Sequence, residues 1–234
     1  MNSIRYLFLP IIALIAPLLL VATQPDLGTS ILIAAGGIIV AWLAGVRIKF
    51  FVYSSIVFLS LLPIAISFLK PYQKSRILTF LNPERDPLGA GYQIIQSKIA
   101  IGSGGLFGKG FLNGSQSYLD YLPEKHTDFI FTLFSEEFGF FGSLSILLLY
   151  ALIISRIVKI GTLTRSTFGK LYCYSFATAF FIYVVVNMMM VLGLLPIVGS
   201  PLPIMSYGGS SMMAIMFGLG IVMSCKIHKD TPVN

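Results

Sequence analysis

Charged residues are scarce in this sequence, since Asp, Glu, Lys and Arg together make up 11% of its 234 residues. An average soluble domain carries about a quarter charged residues. Hydrophobic residues reach 56%, and the mean hydropathy is +0.87. These values exclude an ordinary soluble domain and predict an integral membrane protein.

Cysteine and histidine are scarce too. The two cysteines, Cys173 and Cys225, lie in apolar segments without the spacing of a disulfide framework or a metal site. With only His126 and His228 in the chain, a histidine metal site cannot be built. The net charge is +7, but no run of five or more basic residues occurs. Nucleic-acid binding is therefore not expected.

Long apolar stretches are abundant. A helix needs about 20 mostly apolar residues to cross a hydrocarbon core of about 30 Å. Six stretches meet that length: Ile4 to Thr23, Leu27 to Val46, Phe50 to Leu69, about Phe129 to Ile154, about Leu171 to Leu192 and about Ser210 to Cys225. A signal peptide is the competing interpretation of the first, but the run is too long for an ordinary h-region. The predicted fold class is all-α, a polytopic transmembrane helical bundle.

The spans divide the chain into one integral membrane domain with two groups of helices. Residues 1–69 hold three spans, 70–127 form a long extracytoplasmic loop, 128–225 hold three further spans, and 226–234 form a cytoplasmic tail. Three prolines, at positions 196, 201 and 203, precede the last span. Because non-helical backbone at membrane depth needs protein or water partners, this stretch predicts a broken or re-entrant segment that lines a cavity.

The basic residues predict the orientation, because Lys and Arg in short loops favour the cytoplasm. With both termini inside, nine of the sixteen bases are cytoplasmic: Arg5, Arg47, Lys49, Arg156, Lys159, Arg165, Lys170, Lys226 and Lys229. The acids show the opposite bias, and among them only Asp230 falls inside. Any acid–base chemistry is therefore expected on the outer face.

Three separated motifs carry a family resemblance. They are QPDLGT at Gln24–Thr29, the long stretch from Asp86 to Gly142 that includes DPLGAGYQIIQSKIAIGSGGLFGKG and LPEKHTDFIFTLFSEEFGFFG, and PIMSYGGSS at Pro203–Ser211. Together, in this order, they resemble the SEDS family of cell-wall glycan polymerases. The sequence around Asp86 is more similar to the family members that act in cell elongation than to those that act in division. Family members have several spans before QPDLGT, and here one precedes it.

The resemblance implies a peptidoglycan glycosyltransferase in the bacterial inner membrane that polymerises lipid II during elongation and rod-shape maintenance. It implies a class B penicillin-binding protein and elongation-complex proteins as partners, and a divalent cation, Mg²⁺ or Mn²⁺, as cofactor. The family's proposed catalytic aspartate aligns with Asp128. By position alone, Asp128 is a helix N-terminal acid beside a capping Thr127, which is a common and inert arrangement.

In the implied reaction, Asp128 deprotonates the 4-hydroxyl of the acceptor sugar, which attacks the anomeric carbon of the donor with inversion and expels undecaprenyl pyrophosphate. The leaving group needs positive charge. The loop has seven bases against four acids, and Lys98, Lys109 and Arg85 are the candidates for that charge. The alternative is that these bases face solvent or lipid headgroups. Glu124 is a candidate for orienting the loop or, with Asp128, for holding the cation.

Two further features lie near this loop. Asp128, Thr132 and Glu136 recur every four residues, so they share one helix face that is expected to point to a polar, substrate-binding cavity. A structural ion pair is the alternative for Glu136. The glycine-rich run at 102–110 fails both nucleotide motifs, because Phe107 replaces a required glycine and Gly110 a required Ser or Thr. A flexible or re-entrant loop is expected there.

Ser206 is a candidate substrate contact in the segment before the last span, whereas Asn187 could line the cavity or bond between helices. Two other functions stay open. The chain could be a transporter that flips a lipid-linked precursor, although only one broken element is evident where paired ones are usual. It could also be a non-catalytic scaffold of the elongation complex.

Overall fold

The computed structural model describes residues 5–24, 27–67, 71–86, 89–115 and 126–230. Within these ranges every regular element is helical: α1 (Arg5–Thr23), α2 (Leu27–Leu43), α3 (Ile48–Ser67), α4 (Pro71–Leu81), a 3-10 turn (Pro83–Arg85), α5 (Ala90–Ser103), α6 (Ile130–Leu163), α7 (Thr167–Val191) and α8 (Gly209–Ile227). The predicted all-α class is confirmed.

The six predicted spans coincide with α1, α2, α3, α6, α7 and α8. In the described residues, α6, α7 and α8 are long and apolar enough to cross a membrane. Helices α1 to α3 contribute shorter apolar stretches, at Ile11–Thr23, Gly28–Leu43 and Ile48–Leu61. Helix α6, at 34 residues, extends nine residues beyond the predicted end of the fourth span. Its last turns carry Arg156 and Lys159, whose charges had marked the apolar boundary.

The segment predicted as one long loop contains α4, the 3-10 turn and α5. Sequence periodicity missed these helices, because their charged and polar residues obscure an apolar stripe. Helix α5 is anchored by Ser97, which is fully buried and donates to the carbonyl of Val191 at 2.7 Å. The Ser97 hydroxyl also lies 2.7 Å from the hydroxyl of Thr132. One serine thus ties α5 to the end of α7 and to the first turn of α6.

Helix α6 is interrupted at Gly139, whose φ of 65° and ψ of −160° are not helical. In an unbroken helix the amides of Phe140 and Phe141 would donate to carbonyls four residues earlier. Here they donate to Gly105 at 2.9 Å and to Leu106 at 3.2 Å. The glycine-rich loop therefore takes over hydrogen bonds that the break releases.

The exchange is reciprocal. The amide of Lys109 donates to the carbonyl of Glu136, and that of Gly110 to the carbonyl of Glu137, both at 3.0 Å. Gly108, at a φ of 80°, lies so close that a β-carbon would overlap the backbone of Glu137. We call these four hydrogen bonds and the residues that make them, 105–110 and 136–141, the junction. The expected re-entrant loop is thus a segment fixed to α6 by main-chain contacts.

The core lies between α6, α7 and the segment that follows α7. Its buried members are mostly large and apolar: Phe129, Phe131, Tyr150, Phe180, Val184, Met188, Met190, Val191 and Leu202. After α7 ends, the chain remains non-helical from 192 to 208, although Ser200, Leu202 and Pro203 are buried. The predicted broken segment before the last span is confirmed. The Tyr150 hydroxyl supports it by donating to the carbonyl of Pro203 at 2.6 Å.

Candidate active site

Asp128 is half-buried and lies two residues before the first residue of α6. The N-cap position belongs to Phe129, whose side chain makes no capping hydrogen bond, and Thr127 lies two residues before it. Thr127 is therefore not at the N-cap position itself. The chain turns over 126–129, and the amides of Thr132 and Leu133 donate to the Phe129 carbonyl. The aspartate is held by a turn that packs on the rest of the molecule.

Three successive carbonyls in this turn accept hydrogen bonds from the C-terminal part of the chain. The His126 carbonyl accepts from the Tyr207 amide at 2.9 Å. The Thr127 carbonyl accepts from the Ser206 hydroxyl at 2.7 Å. The Asp128 carbonyl accepts from the Asn187 side-chain amide at 2.8 Å. The HTDF and PIMSYGG motifs, which are far apart in sequence, are therefore in direct contact.

Ser206 is buried, with 5% of its surface exposed. Its Oγ accepts from the Leu202 amide at 2.7 Å, and its own amide donates to the Leu202 carbonyl at 3.0 Å. Ile204, inside this turn, has a φ of 69°, which is unusual for a β-branched residue. The structure thus places the predicted substrate contact beneath the surface, where its one hydroxyl hydrogen is directed to Thr127.

Asn187 is fully buried, and its amide nitrogen bridges two carbonyls, those of Asp128 and of Ser200, the latter at 2.7 Å. The Asn187 Oδ1 and the Ser200 Oγ have no hydrogen-bond partner among the described residues. The Asn187 side chain therefore joins the main chain beside Asp128 to the proline segment.

The Asp128 carboxylate lies beside Gly199, where a β-carbon would stand 3.6 Å from Oδ2. Two cavities flank this region. One, of about 670 Å³, is lined by residues that include His126, Ile130, Ser206 and Tyr207. The other, of about 340 Å³, is apolar and lies between α2, α7, α8 and residues 200–203. The turn that carries Asp128 thus borders space large enough for part of a substrate.

The predicted basic residues are not brought together. Lys98 is exposed on α5, and its stem lies against Gly193, just after α7. Arg85 is exposed and borders a pocket of about 430 Å³ with Lys74, Thr79 and Asp86. Neither Lys98 nor Arg85 makes a hydrogen bond or ion pair within the described part of the chain. Both therefore remain available to an anion.

Lys109 has a different environment. Its Nζ lies 2.6 Å from Oε1 of Glu136, which is fully buried, and 2.8 Å from the Ser115 hydroxyl. The Ser115 hydroxyl donates to the same carboxylate oxygen at 3.0 Å. The Thr132 and Glu136 face predicted to line a cavity is instead covered by α5 and the junction. These contacts favour the ion-pair alternative for Glu136 and give Lys109 a structural partner.

Glu124 lies outside the described residues. Among the residues that the structure describes, no three His, Cys, Asp or Glu side chains are grouped as metal ligands. The sequence analysis missed Ser97 and Tyr150, whose hydroxyls bond to main-chain carbonyls. Their only local signal was a hydroxyl within an apolar run, and that signal does not say what the hydroxyl bonds to.

Known proteins resemble this chain over nearly its whole length. The FtsW/RodA/SpoVE profile, described as cell cycle protein, matches residues 1–231, so the chain belongs to this family, the SEDS family. The chain is 48% identical over 228 residues to the peptidoglycan glycosyltransferase MrdB of Escherichia coli, covering 97% of this chain and 62% of that protein. It is 38% identical over 224 residues to stage V sporulation protein E of Bacillus subtilis, covering 95% and 61%.

Solved structures give the same assignment. A chain of a peptidoglycan synthase complex, described for its structural coordination of polymerization and crosslinking, matches with a TM-score of 0.78 and 35% identity over 96% of this chain and 62% of its own length. The rod shape determining protein RodA of Thermus thermophilus matches with a TM-score of 0.63 and 25% identity over 99% and 59%. The chain is a polytopic membrane protein that spans about three fifths of these relatives.

Proposed function

We propose that the chain is a peptidoglycan glycosyltransferase that polymerises lipid II during cell elongation. The observation that carries this proposal is the position of Asp128, whose turn is fixed by three hydrogen bonds and borders a cavity of about 670 Å³ at His126. The relatives named peptidoglycan glycosyltransferase support the same reaction class. The proposed location is the bacterial inner membrane, with both termini in the cytoplasm.

In the proposed reaction, a carboxylate oxygen of Asp128 accepts the proton of the acceptor's 4-hydroxyl. The hydroxyl oxygen forms a bond to the anomeric carbon of the donor, and the bond from that carbon to the pyrophosphate oxygen breaks. Its electron pair leaves with undecaprenyl pyrophosphate, and the configuration at the carbon inverts. A positioned base of this kind contributes about 10²- to 10⁴-fold to the rate.

The departing pyrophosphate requires positive charge. Lys98 and Arg85 are exposed and unpaired in the described part of the chain, so they are the better candidates. Lys109 is already paired with Glu136. Mg²⁺ or Mn²⁺ also fits this chemistry, because Mg²⁺ is usually held by one or two carboxylates together with substrate phosphates. Asp128 and Glu124 would hold the ion, which would neutralise charge on the pyrophosphate.

A class B penicillin-binding protein is the proposed partner, alongside other elongation-complex proteins. The structural neighbour belongs to a complex described for polymerization and crosslinking, and a crosslinking partner suits a chain that makes glycan. The test is polymerisation of labelled lipid II by the chain with this partner, beside Asp128→Ala, with the partner's own glycan synthesis excluded. Glycan from the wild type alone supports the proposal. Translocation of lipid II across vesicle membranes without glycan synthesis would instead identify a transporter. If the chain shows neither activity, the result would favour a scaffold.

A further inference from the structure

The backbone on both sides of the Asp128 α-carbon is held by side chains. The peptide group before it carries the Thr127 carbonyl, which accepts from Ser206, and the peptide group after it carries the Asp128 carbonyl, which accepts from Asn187. Peptide groups are planar and rigid. Fixing both planes therefore fixes φ and ψ of Asp128, and with them the direction of its bond to the β-carbon.

The two donors are themselves fixed. The Ser206 Oγ accepts from the Leu202 amide, which leaves its hydroxyl hydrogen free to point at Thr127. The Asn187 amide uses its second hydrogen on the Ser200 carbonyl. Both side chains are buried, so water competes poorly for these carbonyls. The term clamp is used below for Ser206, Asn187 and the Thr127 and Asp128 carbonyls to which they donate.

We propose that Ser206 and Asn187 are positioning residues that aim the Asp128 carboxylate at the acceptor hydroxyl. This inference rests on the proposed function. Ser206 borders the cavity of about 670 Å³, but its hydroxyl hydrogen is used on the Thr127 carbonyl, so each side chain acts through the main chain of 127–128. Misplacing a reacting group by about 1 Å can lower a rate about 100-fold. Loss of either donor is therefore expected to lower polymerisation about 10- to 100-fold, the range between partial and full loss of that alignment.

Tyr150 offers a matched control. Its hydroxyl is a side-chain donor to the same proline segment, and the side chain is buried, but it bonds to Pro203 and not to the carbonyls beside Asp128. Tyr150→Phe therefore removes one buried hydrogen bond from the same segment and leaves the clamp intact. If support of this segment were all that mattered, Tyr150→Phe and Ser206→Ala would have equal effects on the rate.

The first measurement is the rate of lipid II polymerisation by the full chain with its penicillin-binding partner. Ser206→Ala and Asn187→Ala should each lower kcat about 10- to 100-fold with little change in KM, and Ser206→Thr, which keeps the hydroxyl, should recover most of the rate. In an Asp128→Asn background, Ser206→Ala should cause no further loss. A clamp variant no slower than Tyr150→Phe, or an equal additional loss in the Asp128→Asn background, would overturn the inference.

The second measurement does not require activity. Amide hydrogen exchange in 126–133 should quicken in Ser206→Ala and Asn187→Ala and stay unchanged in Tyr150→Phe. The melting temperature of Ser206→Thr should equal that of the wild type. If the wild type makes no glycan, the proposed function fails, and the exchange data alone decide the clamp. Unchanged exchange in both clamp variants would show that these side chains do not hold the turn.

Discussion

At the clamp and at the junction, distant segments bind the turn before α6 and α6 itself, and they do so through different kinds of hydrogen bond. At the clamp, side chains donate to main-chain carbonyls beside Asp128. At the junction, main chain bonds to main chain around Gly139, and the ion pair between half-buried Lys109 and buried Glu136 lies alongside. Lys109 and Glu136, which the sequence alone offers as candidates for the site, are therefore paired with each other at the junction. A charged residue in an apolar segment needs a partner, and only the identity of that partner shows whether the residue serves the reaction or the stability of the fold.

The largest expected effect on stability comes from adding a β-carbon to a glycine of the junction. Gly108→Ala would place a β-carbon against the Glu137 backbone at a positive φ. Backbone strain of about 1–3 kcal/mol and overpacking of about 1–3 kcal/mol together predict a loss of about 2–6 kcal/mol in unfolding free energy. Thermal unfolding in detergent measures it.

Gly102→Ala is the matched control for that substitution. Gly102 lies in α5, and a β-carbon there would meet nothing within 4 Å. Alanine is a better helix former than glycine by about 0.5–1 kcal/mol, so this variant should melt at the same temperature or slightly higher. Equal destabilisation by both substitutions would show that the close contact at the junction is unimportant.

The next effect concerns the ion pair of the junction. Lys109→Met removes the cation that pairs with the buried Glu136 carboxylate. Removing one partner of a buried pair costs about 3–5 kcal/mol, and the lower end is expected because Lys109 is 29% exposed. Chemical or thermal unfolding should show the loss, and combining the variant with Glu136→Gln should restore most of it.

The same pair of variants distinguishes a structural Lys109 from one that binds pyrophosphate. If Lys109 contacts the substrate, Lys109→Met should lower polymerisation with an unchanged melting temperature, and Glu136→Gln should not rescue it. The arrangement around Glu136 predicts the opposite result for both measurements.

The smallest effect concerns the support of the proline segment. Tyr150→Phe removes the hydrogen bond to the Pro203 carbonyl and leaves the ring in place. The net contribution of one such bond is about 0.5–1.5 kcal/mol. A modest fall in melting temperature is therefore expected. A loss of about 1 kcal/mol leaves most of the protein folded. If the clamp alone aims Asp128, the polymerisation rate should therefore stay within about twofold of the wild type.

Local sequence was sufficient for the features that depend on composition. Apolar length predicted the six helical stretches, and the three prolines predicted the broken segment before α8. It was insufficient for α4 and α5, whose polar residues obscure the periodicity. It also missed the break at Gly139, because a glycine in an apolar run does not reveal that another segment will replace its helical hydrogen bonds.

The candidate site divides in the same way. Asp128 was reached through the resemblance of its motif, and its assignment stays a prediction. The partners of Glu136 and of the Thr127 carbonyl lie 27 and 79 residues away in sequence. Such pairings depend on tertiary packing, which no local pattern encodes. Ser206 was therefore predicted as a substrate contact from its motif, although its hydroxyl lies under the turn that holds Asp128.

The central claim is that the clamp region determines the chemistry and the junction determines the stability. The most direct test compares Asp128→Asn with the double variant Lys109→Met, Glu136→Gln, measuring lipid II polymerisation and melting temperature for both. Asp128→Asn should lose at least about 100-fold in rate with little change in melting temperature, while the double variant should keep a rate close to that of the wild type. Retained polymerisation in Asp128→Asn, or its abolition in a stably folded double variant, would contradict the account.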